Sequence, residues 1–231
     1  MAYPPLHIVE PQSGHPHTHT VILLHGRSST AKEFATDLFS LKTSEPSQNL
    51  PSCFPSFRWV FPDAGERWCT PYKEKLSAWC DTFSLEDLSE RQDLQVTGLR
   101  DGIHHVRGIV EEEVDRLGGK SDKVVLGGFS QGSATALWSL FTGAAATKGN
   151  LGAFIGLSAW MPFTKEAKKA VNIGDSAQSQ SLRTKTLTTT FLEVLGLDPL
   201  VPVEATQSCL RKTPVYLGHG TDVRDHFAHS F

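Results

Sequence analysis

Residues 124–137 read VVLGGFSQGSATAL. An apolar run suited to a buried strand meets Gly-Phe-Ser-Gln-Gly, and a run of small residues suited to a helix follows. A serine between two glycines at a strand-to-helix junction is the pattern of a nucleophile on a sharp turn. Such a turn strains the serine backbone, and small flanking residues let it close against its neighbours. The reading places Ser130 at the carboxyl end of a central strand, its hydroxyl exposed and the N-terminus of the next helix beneath it. That helix end favours negative charge developing on a bound substrate. The competing reading is a plain tight turn whose serine caps the helix.

A nucleophile of this kind needs donors for an oxyanion, and VILLHGRSS (residues 21–29) offers one. A strand ending in His-Gly sets the next backbone amide beside the turn, so the expected donors are the N–H groups of Arg27 and Gln131. Only the backbone acts there, which leaves the arginine side chain free. His25 sits on the oxyanion side and reads as a structural residue, not as the base.

Outward from these segments the chain alternates strand and helix. Leu6–Val9 and Thr20–Leu24 read as an antiparallel pair opening a sheet, joined by a turn-rich segment. Phe57–Phe61 is a strand stopped by Pro62, and residues 62–92 read as a long loop with short helical pieces. Leu99, Ile103, Val106, Val110, Val114 and Leu117 recur at helical steps, which predicts a helix over 94–117 ended by Gly118-Gly119. Ala153–Leu157 is a strand, Lys165–Ala170 a helix, 174–190 a mobile surface connection, Leu187–Leu195 a helix and Val215–Gly218 a last strand. The alternation implies one domain over residues 1–231 with a mostly parallel sheet covered on both faces.

The bulk properties narrow the function. In 231 residues, 39% are hydrophobic and 20% charged, as in an ordinary folded protein. A net charge of −3 offers no basic excess for nucleic acid or anionic lipid. No apolar run is long enough to span a membrane, and the first residues do not resemble a signal peptide. Four cysteines without close pairing point to reduced thiols, hence to the cytosol or nucleus. The His15, His17, His19 cluster in HPHTH reads as a solvated turn and not as a metal site. His104-His105 read as surface or packing residues, and Glu111-Glu112-Glu113 as a solvated helix face. Trp68, Trp79 and Trp160 are candidates either for an acyl groove or for plain packing.

Five segments taken together, VILLHG (21–26), WCD (79–81), GFSQGS (128–133), GLSAWMPF (156–163) and TPVYLGHG (213–220), resemble the acyl-protein thioesterase branch of the phospholipase/carboxylesterase family. The resemblance runs over about residues 6–222, with 223–231 a divergent tail. It implies a three-layer α/β-hydrolase and a serine esterase of the cytosol. The implied substrates are S-acylated proteins, small esters or lysophospholipids, with no cofactor and no metal. It also implies an acid after the last matched strand, in a His-Gly-x-x-Asp pattern. Here His219-Gly220-Thr221-Asp222-Val223 puts valine at that place, so Asp222 is the preferred acid over Asp225. Asp198 in LGLDPLVP (195–202), read as another strand end, is the rival. His226 and His229 are the available bases, yet Phe231 leaves little chain for the family's final strand, histidine loop and helix. A catalytically incomplete binding remnant is therefore the alternative function.

Overall fold

The computed structural model describes residues 2–44, 47–172 and 177–220, the side chains of 177–180 excepted. A six-stranded sheet runs in the order β1-β3-β2-β6-β7-β8. Its strands are β1 (His7–Val9), β2 (His19–Leu24), β3 (Phe57–Phe61), β6 (Val124–Phe129), β7 (Ala153–Leu157) and β8 (Val215–Gly218). Only the β1–β3 pair is antiparallel; β2 with β3, β2 with β6, β6 with β7 and β7 with β8 are parallel. A separate hairpin, β4 (Glu66–Cys69) and β5 (Glu74–Ser77), follows β3.

Helices cover both faces, which is why the central strands read as unbroken apolar runs. On one face, Ile22, Leu24, Leu126 and Phe154 pack with Val106, Val110 and Val114 of α3 (Asp93–Arg116), with Ala136 and Leu140 of α4 (Gln131–Phe141), and with Cys209 of α7 (Val203–Lys212). On the other face, Val21, Leu23, Trp59 and Phe61 pack against Ala31 and Ala35 of α1 (Ala31–Ser40). Beyond the first face, Leu99, Ile103 and Trp138 form a second cluster with residues of α5 (Thr164–Val171) and α6 (Ala177–Leu195). A one-turn helix α2 (Leu50–Cys53) precedes β3. No helix among the described residues is long and apolar enough to cross a membrane, and all four cysteines are free thiols.

Several expectations are corrected. β1 and β2 do not pair: β3 lies between them. The connecting segment sends its backbone bonds to the approach of β3, with Gln12 N–H donating to Pro55 O and Thr18 N–H to Ser56 O, so the hairpin ladder never forms. The loop expected over 62–92 contains the β4–β5 hairpin, whose strands are short and charged and show no alternation. The helix α1 escaped the sequence reading, although Thr30 and Glu33 form a full capping box at its start. The stretch read as a mobile connection is helical from Ala177 onward. Its threonines are poor helix formers, but Leu187, Phe191 and Leu195 share one face and are buried, so packing outweighs propensity. Helix α7 was likewise unforeseen. Among the described residues β8 is the outer strand on the β7 side, with Val215, Tyr216 and Leu217 53%, 62% and 50% exposed.

Glu113 is the sharpest correction. Instead of lying on a solvated face it is 1% exposed, and its carboxylate accepts from Arg58 Nε at 3.2 and 3.1 Å and from Thr20 Oγ1 at 3.0 Å. Arg58 also pairs with Glu10. Helix α3 is thereby tied to β2 and β3 by a buried ion pair with satisfied hydrogen bonds. Removing one partner leaves the other charge buried, so Glu113→Ala should cost about 3 kcal/mol in urea unfolding. A loss within the scatter of surface substitutions would contradict this arrangement.

Candidate active site

Two close backbone approaches shape the site. Strands β2 and β6 run side by side with Leu24 opposite Gly128, so the His25–Arg27 segment leaves β2 beside the β6–α4 junction. At Gly128 a Cβ would stand 2.6 Å from the Gly132 carbonyl carbon and 2.8 Å from the Leu24 oxygen. At Gly132 it would stand 2.4 Å from both the Leu24 and the His25 oxygens. No side chain fits at either place, which accounts for both glycines flanking the serine.

Between them Ser130 adopts φ 51° and ψ −116°, a left-sided backbone that L-residues avoid. The strain is held by its N–H, which donates to Leu157 O of β7 at 2.9 Å, and by its carbonyl, which accepts from Ala134 N–H at 3.0 Å. The Ser130 side chain makes no capping bond to α4. A plain capping turn would use that hydroxyl; here it makes no such bond and has no partner among the described residues.

A buried hydrogen-bond web then binds the junction to its neighbours. The Gln131 side-chain amide accepts from Trp79 N–H and donates to Cys80 O, each at 2.8 Å. Trp79 Nε1–H donates to His25 O at 2.8 Å. His25 Nε2 accepts from Ala64 N–H at 3.0 Å, so the ring proton sits on Nδ1 and donates to Gly26 O at 2.7 Å. Both ring nitrogens of His25 are occupied, and burial holds its pKa below the ordinary imidazole value. It is the structural histidine expected. Burial also pushes the Cys80 thiol up to about 12, so this neighbour is no rival nucleophile.

The N–H groups of Arg27 and Gln131 find no acceptor among the described residues. The Arg27 side chain turns away, donating to Thr82 Oγ1 at 3.2 Å and lying 5.7 Å from the centre of the Tyr72 ring. An open groove of about 630 Å³ begins at Gly26 and Arg27 and is walled by Phe34, Leu38, Leu41, Phe129 and Leu157. Helix α1 supplies much of that wall, and the Asp63 carboxylate fixes its start by accepting from Ala31 N–H at 3.0 Å.

The other expected members are not gathered here. Asp222, Asp225, His226 and His229 lie outside the described residues. Asp198 does not end a strand: it is exposed in the connection between α6 and α7, and nearby Val201 packs at Gly143, at the opposite end of α4 from Ser130. Trp79 is fully buried and serves the web, Trp68 is exposed on the hairpin, and Trp160 lines a separate cavity of about 260 Å³. His105 stacks on Tyr3 at 3.8 Å, a packing role, while His104 is exposed. No group of three or more metal-ligating side chains occurs among the described residues. Sequence reading missed the Gln131 side chain as a strap and the groove-forming helix α1; the WCD segment and the Thr30–Glu33 cap were the available signals.

Residues 6–204 match the family described as Phospholipase/Carboxylesterase, and the chain belongs to it. It is 29% identical over 147 residues to acyl-protein thioesterase 1 of Yarrowia lipolytica, covering 63% of this chain and 59% of that relative. Against the Schizosaccharomyces pombe protein of the same name it is 30% identical over 160 residues, covering 68% and 62%. The match thus spans about three fifths of these relatives' length. The crystal structure of Zea mays acyl-protein thioesterase 2 superimposes with a TM-score of 0.56 at 22% identity, covering 94% of this chain and 90% of that one. The fold is that of an α/β-hydrolase, as the motifs implied.

Two outcomes follow from the packing. Gly132→Ala must push apart two backbone carbonyls, so a loss of about 3 kcal/mol or failure to fold is expected on urea unfolding. Near-native stability in that variant would contradict the close approach. Burial also depresses the pKa of His25 and lowers that of His105 to about 4. The unfolded chain takes up protons near pH 6.5 while the folded one does not. Stability should therefore be full above about pH 6.5 and fall progressively toward pH 4, less steeply in His105→Gln. A flat urea midpoint across that window would contradict these neutral, buried imidazoles.

Proposed function

We propose that the chain hydrolyses carboxylic esters or thioesters through an acyl-serine at Ser130. The observation that carries the reading is the strained, uncapped serine at the β6–α4 junction beside two unclaimed backbone donors. Ser130 Oγ attacks the substrate carbonyl and passes its proton to a histidine base. The carbonyl oxygen takes up the negative charge, met by the N–H groups of Arg27 and Gln131. Collapse releases the thiol or alcohol, protonated by the same histidine. Water then attacks the acyl-serine by the reverse proton path and frees a carboxylic acid. Asp222 is the proposed acid, ahead of Asp225.

The finer reading is removal of fatty acyl groups from protein cysteines, with lysophospholipids and small esters as further substrates. The apolar groove beside Arg27 and Phe129 suits an acyl chain, and the matched relatives carry the name acyl-protein thioesterase. The chemistry calls for no cofactor, and four free thiols suit the cytosol or nucleus.

A second reading, a non-catalytic acyl-binding remnant, is favoured by one observation. No imidazole of the described residues hydrogen-bonds Ser130 Oγ, and the one adjoining the junction, His25, has both ring nitrogens committed. A fluorophosphonate probe separates the two readings. Covalent labelling that disappears in Ser130→Ala, with aryl-ester turnover lost by at least about ten-thousand-fold in the same variant, is expected. An unlabelled, folded chain with no turnover would establish the remnant instead.

A further inference from the structure

At the opposite end of the sheet from Ser130, the chain builds a cavity of about 510 Å³ lined by His17, Thr18, His19, Arg116, Lys120 and Lys123. The two histidines belong to the HPHTH segment, which the hydrolase reading leaves without a role. His19 opens β2 and Lys123 precedes β6, so the length of β6 separates this cavity from the elbow by about 20 Å. No acidic side chain lines the cavity. Lys120 and Lys123 form no ion pair among the described residues, whereas Arg116 is shared with Glu112 at 2.6 Å and Glu113 at 3.5 Å.

Two histidines two residues apart suggest a metal site, but the surrounding charges decide against it. A cation placed there would face two lysines and an arginine, and no third ligand is at hand among the described residues. The same side chains suit a multiply charged anion. Two ammonium groups give point charges, the guanidinium gives a planar fork, and the imidazoles give further donors when protonated. The volume exceeds that of one phosphate group.

We propose that this cavity binds a diphosphate or phosphomonoester through Lys120, Lys123 and Arg116, with His19 as a proton-dependent donor. His19 has Nδ1 committed to Thr18 Oγ1 at 3.0 Å and keeps its second nitrogen for a ligand, whereas His17 holds Nε2 against Thr20 Oγ1 at 2.9 Å and also hydrogen-bonds the His19 backbone. The charges acting on His17 are Glu113, Glu10 and Arg58; those acting on His19 are Lys123, Asp122 and His17. Burial keeps both imidazoles neutral until below the ordinary pH, and a bound anion opposes that effect. On the protein side binding therefore takes up protons and gains on acidification. That gain is read as the difference between the parent and the histidine variant, because the ligand's own phosphate titrates at about pH 6 with both.

The test uses the full chain and inorganic pyrophosphate, with sodium chloride at matched ionic strength as the control, followed by calorimetry at about pH 7.5 and about pH 6. Saturable binding is expected, strengthened at the lower pH relative to the histidine variant. Lys120→Gln with Lys123→Gln should weaken it by about tenfold or more. His17→Asn with His19→Asn should keep binding at the higher pH and lose the gain on acidification. Co-flotation with phosphatidylcholine vesicles only when they contain phosphatidic acid would identify a lipid headgroup as the source of the phosphate. Pyrophosphate binding without flotation would identify a free phosphate compound. No heat beyond the chloride control, or unchanged affinity in the folded lysine double variant, would overturn the proposal. Neither readout depends on hydrolysis at Ser130.

Discussion

The backbone contact between the end of β2 and the first turn of α4 is the constraint on which the site depends. Gly132 lies against the Leu24 and His25 carbonyls, closer than any Cβ permits, and Gly128 closes the same contact from the strand side. This approach bends the chain at Ser130 into a backbone that costs on the order of 1–3 kcal/mol to maintain. Burial of β2, β3, β6 and β7 between helical layers supplies the surrounding rigidity. The strain persists because the strands on either side leave the junction no room to relax.

Polar groups then do what apolar packing cannot. The Gln131 amide, the Trp79 indole and the His25 ring each have specific partners, and all are buried. In a low-dielectric interior a half-satisfied web would be worse than none, so each member fixes the tautomer or rotamer of the next. The web joins the segment carrying the Arg27 amide to the helix carrying the Gln131 amide. The spacing of two donors is thereby set by side chains that need never touch a substrate. The cost is sensitivity to acid, since His25 can hold its place only while neutral.

Much of this was legible in the sequence, and the limits have physical causes. The elbow could be read because a strained serine demands glycine neighbours, and the central strands because parallel strands buried on both faces must be apolar throughout. The β1–β3 pairing could not, because sheet order depends on contacts between segments fifty residues apart. Glu113 read as solvated because its partners, Arg58 and Thr20, are distant in sequence and nothing local marks a buried carboxylate. Helix α6 begins in a Thr/Ser-rich run whose propensity argues against it, and only the Leu187, Phe191, Leu195 face overrides that. The glutamine strap is invisible to motif reading, which assigns Gln131 a backbone role alone. Asp222 lies outside the described residues, so its part in the site rests on the family resemblance.

The central claim is that strained Ser130 and the amides of Arg27 and Gln131 form one preorganised oxyanion site. A crystal structure of the protein after reaction with an alkyl fluorophosphonate tests it most directly. The account predicts a phosphonyl group on Ser130 Oγ, with its anionic oxygen about 2.7–3.1 Å from both the Arg27 and the Gln131 nitrogens. The alkyl chain should lie toward Phe34 and Phe129, with the His25–Trp79–Gln131 web unchanged. An adduct whose oxygen points to solvent, or a serine left unmodified in a fully folded chain, would contradict it.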